Sequence, residues 1–128
     1  MGIRVFTSQM LRDSMPENEL SALVVKFRTY KETGIVPELF GRDVPYHRPN
    51  AVAQADMHHI HMRENQNWGI NLVQFRRISD TALVYCRGFH SRDNYLLICI
   101  LNNAHERANK VTFMLSLADS AEKFRERY

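Results

Sequence analysis

The residues of this sequence best equipped for chemistry lie in one short stretch, His58-His59-Ile60-His61-Met62-Arg63. In an extended chain alternate side chains point to opposite faces and recur about 6.6–7 Å apart along each. His59, His61 and Arg63 then share one face of a strand, while His58 sides with Ile60 and Met62. Such a row of cation-capable groups can grip phosphates, bind a metal or move protons, because imidazole titrates near neutrality. The plain alternative is the polar outer side of a solvent-facing antiparallel strand.

The totals fit a globular protein. With 128 residues, 45% of them hydrophobic and 24% charged, the chain suits one domain spanning 1–128 and one core. Seventeen basic residues against fourteen acidic give +3, an excess that permits an anionic partner without demanding one. Arg outnumbers Lys among them, and its planar fork suits bidentate phosphate contacts, which leans towards RNA or DNA. Cys86 and Cys99 lie in apolar runs and read as reduced, buried thiols. No apolar run approaches the roughly 20 residues of a membrane span, and the start lacks a signal peptide's apolar core, so a soluble, cytoplasmic protein is expected.

Elements that could position the His strand follow from spacing. Ile3–Phe6 alternates like a short strand. Ser14, Pro16 and Glu17 suggest a capped helix start, with Leu20, Leu23, Val24 and Phe27 at helical spacing and Gly34 as the stop. The segment 35–40 reads as a short helix or turn closing at Gly41-Arg42-Asp43, and 44–55, with Pro45 and Pro49, as loop. The His strand covers about 56–63, and a partial strand is expected over 72–78. Residues 81–86 and 95–101 are the most apolar runs, joined by a hairpin loop. Residues 104–128 are mostly helical, with Met114, Leu117, Ala118, Ala121 and Phe124 in step. The expected order is β-α-α-β-β-β-α, an α+β fold with a small antiparallel sheet and helices on one face. The other face, carrying His59, His61 and Arg63, is then partly open.

Tyr30-Lys31, Gly34, Pro37, Phe40-Gly41-Arg42-Asp43, His59-Ile60-His61 and Leu83-Val84-Tyr85-Cys86 stand in an order and spacing that resembles the YafO family of toxins from bacterial toxin–antitoxin pairs. Leu96-Leu97-Ile98, Ile100-Leu101, His105 and the ending Ala121-Glu122, Phe124-Arg125, Arg127 extend the resemblance over nearly the whole chain. The resemblance implies a ribosome-dependent mRNA interferase that meets mRNA in the decoding site and is silenced by a cognate antitoxin, expected to be acidic. The strand order also resembles the RelE/HigB fold. Toxins of that kind carry two Lys at alternate positions of one strand and then an Arg, matched here by His59, His61 and Arg63; their basic residue after the last strand falls near His105 and Arg107. The Arg they place before the Leu-Val-Tyr run is Ala82 here, so Arg77 or Arg87 would have to supply that charge.

Such toxins cut RNA by turning its own 2′-OH on the adjacent phosphorus, which needs a base, an acid and positive charge on the phosphate, and no metal or cofactor. Imidazole suits both proton roles and Arg the charge. The expected catalytic set is His59, His61, His105 and Arg107, with His59 or His61 as base and His105 or its partner as acid. The expected RNA-binding set is Arg63, Arg77, Tyr85, Arg87 and Lys110, Tyr85 as a stacking ring on the open face. For Arg42 and Asp43 a structural turn is the simpler role, with a contact from Arg42 to ribosomal RNA as the alternative. His58 should point into the core, and His47 and His90 read as loop residues. Two other readings remain open: a metal-dependent hydrolase with His59 and His61 as ligands, which would need a third, and a non-catalytic RNA- or protein-binding module.

Overall fold

The computed structural model describes residues 2–128. Its elements in chain order are β1 (Arg4–Thr7), α1 (Gln9–Ser14), α2 (Glu17–Thr33), β2 (Phe40–Pro45), α3 (Asn50–Gln54), β3 (Met57–Met62), β4 (Thr81–Arg87), β5 (Asn94–Asn102), α4 (Ala104–Ala108) and α5 (Val111–Arg127). They build a five-stranded sheet in the order β1-β5-β4-β3-β2. Each neighbouring pair from β2 to β5 is antiparallel, but β1 runs parallel to β5, so the sheet is mixed rather than wholly antiparallel. The α+β class stands; the element order is longer than the spacing predicts.

Helices cover both faces, not one. Leu20, Leu23 and Phe27 of α2, with Leu11 of α1, pack on Ile60, Met62, Leu83, Tyr85 and Leu97. On the reverse side Met114, Leu117, Ala118 and Ala121 of α5, with Val52 of α3, pack on Met57, Ala82, Val84, Cys86 and Ile98. The alternation of β3 is as the pattern predicts: His58 sides with Ile60 and Met62, and His59 and His61 lie on the reverse face. That face is not the open surface expected. His59 and His61 occupy its margin, beside the short α4, and His61 keeps only 7% of its surface exposed.

Local chemistry accounts for several boundaries. Gly34 ends α2 in the left-handed region (φ 75°), its N–H donating to the Tyr30 carbonyl. The capped start expected from Ser14 and Glu17 does not form: Pro16 takes the cap position and Ser14 instead donates to the Leu11 carbonyl. The segment expected as a partial strand at 72–78 holds one 3₁₀ turn, Gln74–Arg76. Cys86 and Cys99 are buried free thiols. No helix among the described residues is long and apolar enough to cross a membrane.

Candidate active site

β3 presents His59 and His61 with ring centroids 5.5 Å apart, and His105, from the start of α4, lies 6.3 Å from His61. With Tyr46, Ala104 and Ala108 the imidazoles line a small cleft of about 50 Å³. At roughly 30 Å³ per water molecule, it has room for the reacting atoms of a substrate and not for a nucleobase.

Each ring is held differently. Nδ1 of His61 lies 2.8 Å from the Ser79 carbonyl oxygen and 2.9 Å from the Ser79 amide nitrogen. A protonated Nδ1 donates to the carbonyl, and a bare Nδ1 accepts from the amide. Either tautomer is therefore supported, and Nε2 is the working nitrogen in both. Ser79 is itself fixed, its hydroxyl reaching the carbonyls of Met62 (2.7 Å) and Thr81 (3.0 Å). Burial holds His61 below the ordinary imidazole range; the Ser79 carbonyl pulls the other way, and the nearby charges of Arg42 and His105 add to the depression.

His105 is the exposed member. Its Nδ1 lies 2.8 Å from Oδ1 of Asp80, and the same oxygen accepts its backbone N–H at 2.9 Å. Asn103 precedes α4 without capping it, so Asp80 serves both as cap of that helix and as orienter of the ring. The two bonds from His105 hold the Asp80 carboxyl below the usual carboxylate range.

His59 is stacked on Tyr46, centroids 4.1 Å apart at 19°, and its Nδ1 is buried without a hydrogen-bond partner among the described residues. Burial, reinforced by His61, pushes its imidazole down to about 4. It is neutral throughout the physiological range. Folding therefore excludes a proton that the unfolded ring binds below about 6.5. Stability should be full above pH 6.5 and fall as pH drops towards 4, by on the order of 2 kcal/mol from this ring. Urea midpoints at pH 7 and 4.5 measure this, and His59→Phe should show a smaller loss.

Charge reaches the cleft from β2. Four residues of β2 (40 to 43) lie opposite three of β3 (62 to 60), a bulge that turns Arg42 onto the histidine face and Asp43 onto the opposite one. The Arg42 guanidinium stacks on Phe75 at 4.0 Å and its Nε donates to the Phe75 carbonyl (2.6 Å). Gly41 is needed beside it, since a Cβ there would run into the Arg77 backbone oxygen.

The structure thus brings His59, His61 and His105 together. Arg107 is exposed on α4, two positions beyond His105, with its guanidinium over Phe113 at 4.3 Å, and Lys110 is exposed at the junction of α4 and α5. Arg63 lies just past β3, paired with Glu38 at 2.9 Å. Arg77 braces the loop before β4, donating to the carbonyls of Leu72 (3.0 Å) and Phe40 (3.2 Å). Arg87 stands five residues along β4 from Ala82, the partner of His61, which is roughly 16 Å at 3.3 Å per residue. Tyr85 departs furthest from expectation. It is 3% exposed on the opposite face, bonded to Asp43, and does not stack on the histidine side. His58 stacks on Tyr85 there (5.3 Å) and meets Asp56 at 3.0 Å. Sequence reasoning missed Tyr46, Ser79 and Asp80, and favoured a turn role for Arg42. Among the described residues no group of three His, Cys, Asp or Glu is gathered to hold a metal ion, so His59 and His61 lack a third protein ligand.

An α+β protein with neighbouring imidazoles, one tied to a carboxylate and one to a backbone clamp, has the makings of an acid–base site. Residues 28–126 match the family model described as Toxin YafO, type II toxin-antitoxin system. A protein of Escherichia coli (strain K12) named mRNA interferase toxin YafO is 36% identical over 132 residues, covering 98% of this chain and 100% of that one. The chain belongs to the YafO toxin family of type II toxin–antitoxin systems. No solved structure matches it.

Proposed function

We propose that this toxin is an mRNA interferase of the RelE-like kind, a metal-independent endoribonuclease that cuts messages in the ribosomal decoding site of the bacterial cytoplasm until an acidic antitoxin neutralises it. The observation that carries the reading is the pair His61–His105: each ring is fixed through Nδ1, one by Ser79 and one by Asp80, which leaves each Nε2 for substrate across a cleft that fits only reacting atoms.

The roles follow from those anchors. With Nδ1–H donated to the Ser79 carbonyl, Nε2 of His61 is bare and takes the proton of the ribose 2′-OH. The 2′-oxygen then forms its bond to phosphorus, and the bond from phosphorus to the 5′-oxygen breaks. His105, its Nδ1 turned to the Asp80 carboxylate, gives a proton from Nε2 to that leaving oxygen. Products are a 2′,3′-cyclic phosphate and a 5′-hydroxyl. Arg42 and Arg107 offset the charge growing on the phosphate, and Arg63 and Lys110 contact the RNA backbone. His59 is the neutral wall that packs His61 in place.

Primer extension on messages before and after induction tests the reading. New 5′ ends on translated messages, formed by purified protein only when ribosomes are present, are expected. Unchanged messages in an arrested culture would favour a non-catalytic binding module instead. Asp80→Asn keeps an oxygen for the His105 N–H but loses the charge, so cleavage should fall by roughly 100-fold or more with the melting temperature unchanged.

A further inference from the structure

Beside Ser79 lies a groove of about 490 Å³ formed by the 64–68 turn with Ile78 and Ser79. We propose that this groove is a nucleobase subsite: it receives the base next to the cut phosphate, stacked on Trp68 and read along its edge by Asn65, Gln66 and Asn67. The proposal rests on the RNA-cleaving reading above.

Size and position come first. The cleft at the histidines is far too small for a base, whereas the groove is some tenfold larger and is lined by Ser79, whose backbone clamps the cleft's His61. A nucleotide whose 2′-OH or phosphate enters the cleft must put its base nearby, and this is the adjoining space. In-line attack also requires that the nucleotide be held still, which the cleft alone cannot do.

The lining chemistry selects a base over other groups. Trp68 donates its indole N–H to the Glu38 carbonyl at 2.8 Å, which pins the ring and leaves its π surface as the contact it can offer. The side-chain amides of Asn65 and Gln66 form no hydrogen bond with the described residues. Each carries donors and an acceptor, the complement of base edges. Asn67 is oriented by Arg63, 3.4 Å from its Oδ1, and Arg63 is in turn held by Glu38. Glu64 lines the groove as a carboxylate, fixed by the Thr81 hydroxyl at 2.7 Å. That negative charge repels a phosphate and tolerates a neutral base, so the RNA backbone belongs on the Arg42 side and the base on this one.

Trp68 is the sole tryptophan of the chain, so its fluorescence reports on this groove without any need for catalysis. The probes are the four nucleoside 3′-monophosphates, with ribose 5-phosphate as the base-free control. Saturable quenching that differs among the four bases is expected, with ribose 5-phosphate silent. The variant Asn65→Ala/Gln66→Ala/Asn67→Ala, exposed and outside the cleft, should weaken the response roughly tenfold or more. In induced cells it should also shift the set of cut positions seen by primer extension. No quenching by any nucleotide, or equal quenching by ribose 5-phosphate, overturns the subsite, as does an unaltered cut pattern in the triple variant. Base-dependent quenching by a protein that cuts no message upholds the subsite and sinks the enzymatic reading instead.

Discussion

His61→Gln is expected to lower message cleavage by about 10²–10⁴-fold, the range that a positioned proton acceptor contributes, while the protein stays folded and binds its antitoxin. His61 is the ring whose Nδ1 meets both a carbonyl and an amide of one residue, so it can shed or take a proton at Nε2 without losing its anchor. Glutamine offers the same backbone groups a partner but cannot accept the 2′-OH proton. The neighbouring substitution supplies the contrast. His59 has a buried Nδ1 with no partner among the described residues and a face packed on Tyr46. Phenylalanine keeps the stack and removes an unsatisfied polar atom, a change that is often neutral or stabilising. His59→Phe should therefore cleave within roughly tenfold of the parent, by the same scale. Primer extension and growth arrest, read side by side for the two variants, check the pair. An inactive His59→Phe beside an active His61→Gln would reverse the assignment of base and wall.

How much of this was legible beforehand depended on how local each cause is. The two faces of β3 follow from alternation alone, and the Gly34 stop from a backbone angle that glycine adopts at little cost. β2 was hidden because Gly41 and Pro45 read as breakers. At the sheet's edge a proline costs no ladder bond, and the glycine leaves room for the Arg77 backbone. α1 is six residues long, capped by Ser8 through the Leu11 N–H, and too short to show a period. The parallel pairing of β1 with β5 joins residues about ninety positions apart, and no spacing rule reaches that far. The site divides in the same way. His59 and His61 stand two apart and are visible together; Asp80 meets His105 across 25 positions and Ser79 meets His61 across 18. Their one hint was a polar pair, Ser-Asp, placed directly before an apolar strand. Arg42 was visible as a residue, but the bulge that turns it to the histidines was not.

Asp43→Ala is expected to destabilise the fold by about 3–5 kcal/mol, a large part of the roughly 5–15 kcal/mol that holds a domain together. Asp43 accepts from the hydroxyls of Tyr30 (2.8 Å) and Tyr85 (2.7 Å) and from the Lys31 ammonium (3.1 Å), and its side chain is 10% exposed. Lys31 also donates to the Tyr85 hydroxyl at 2.9 Å, with the rings of Tyr30 and Tyr85 each 4.8 Å away. Burial, with Asp43's charge beside them, raises both tyrosines well above their usual range, so they remain neutral donors. Without the carboxylate an ammonium and two hydroxyls are stranded between α2 and the sheet. If the ion pair itself is what matters, removing the second charge should repair much of the damage: Lys31→Met/Asp43→Ala should recover at least about half of the loss. Urea denaturation of the two variants decides it, and a double variant no better than the single one would mean that the tyrosine bonds carry the cost. The cluster lies on the α2 face, away from His61 and His105. Asp43→Ala kept cold enough to remain folded should still cut RNA, the inverse of His61→Gln, which stays folded and does not.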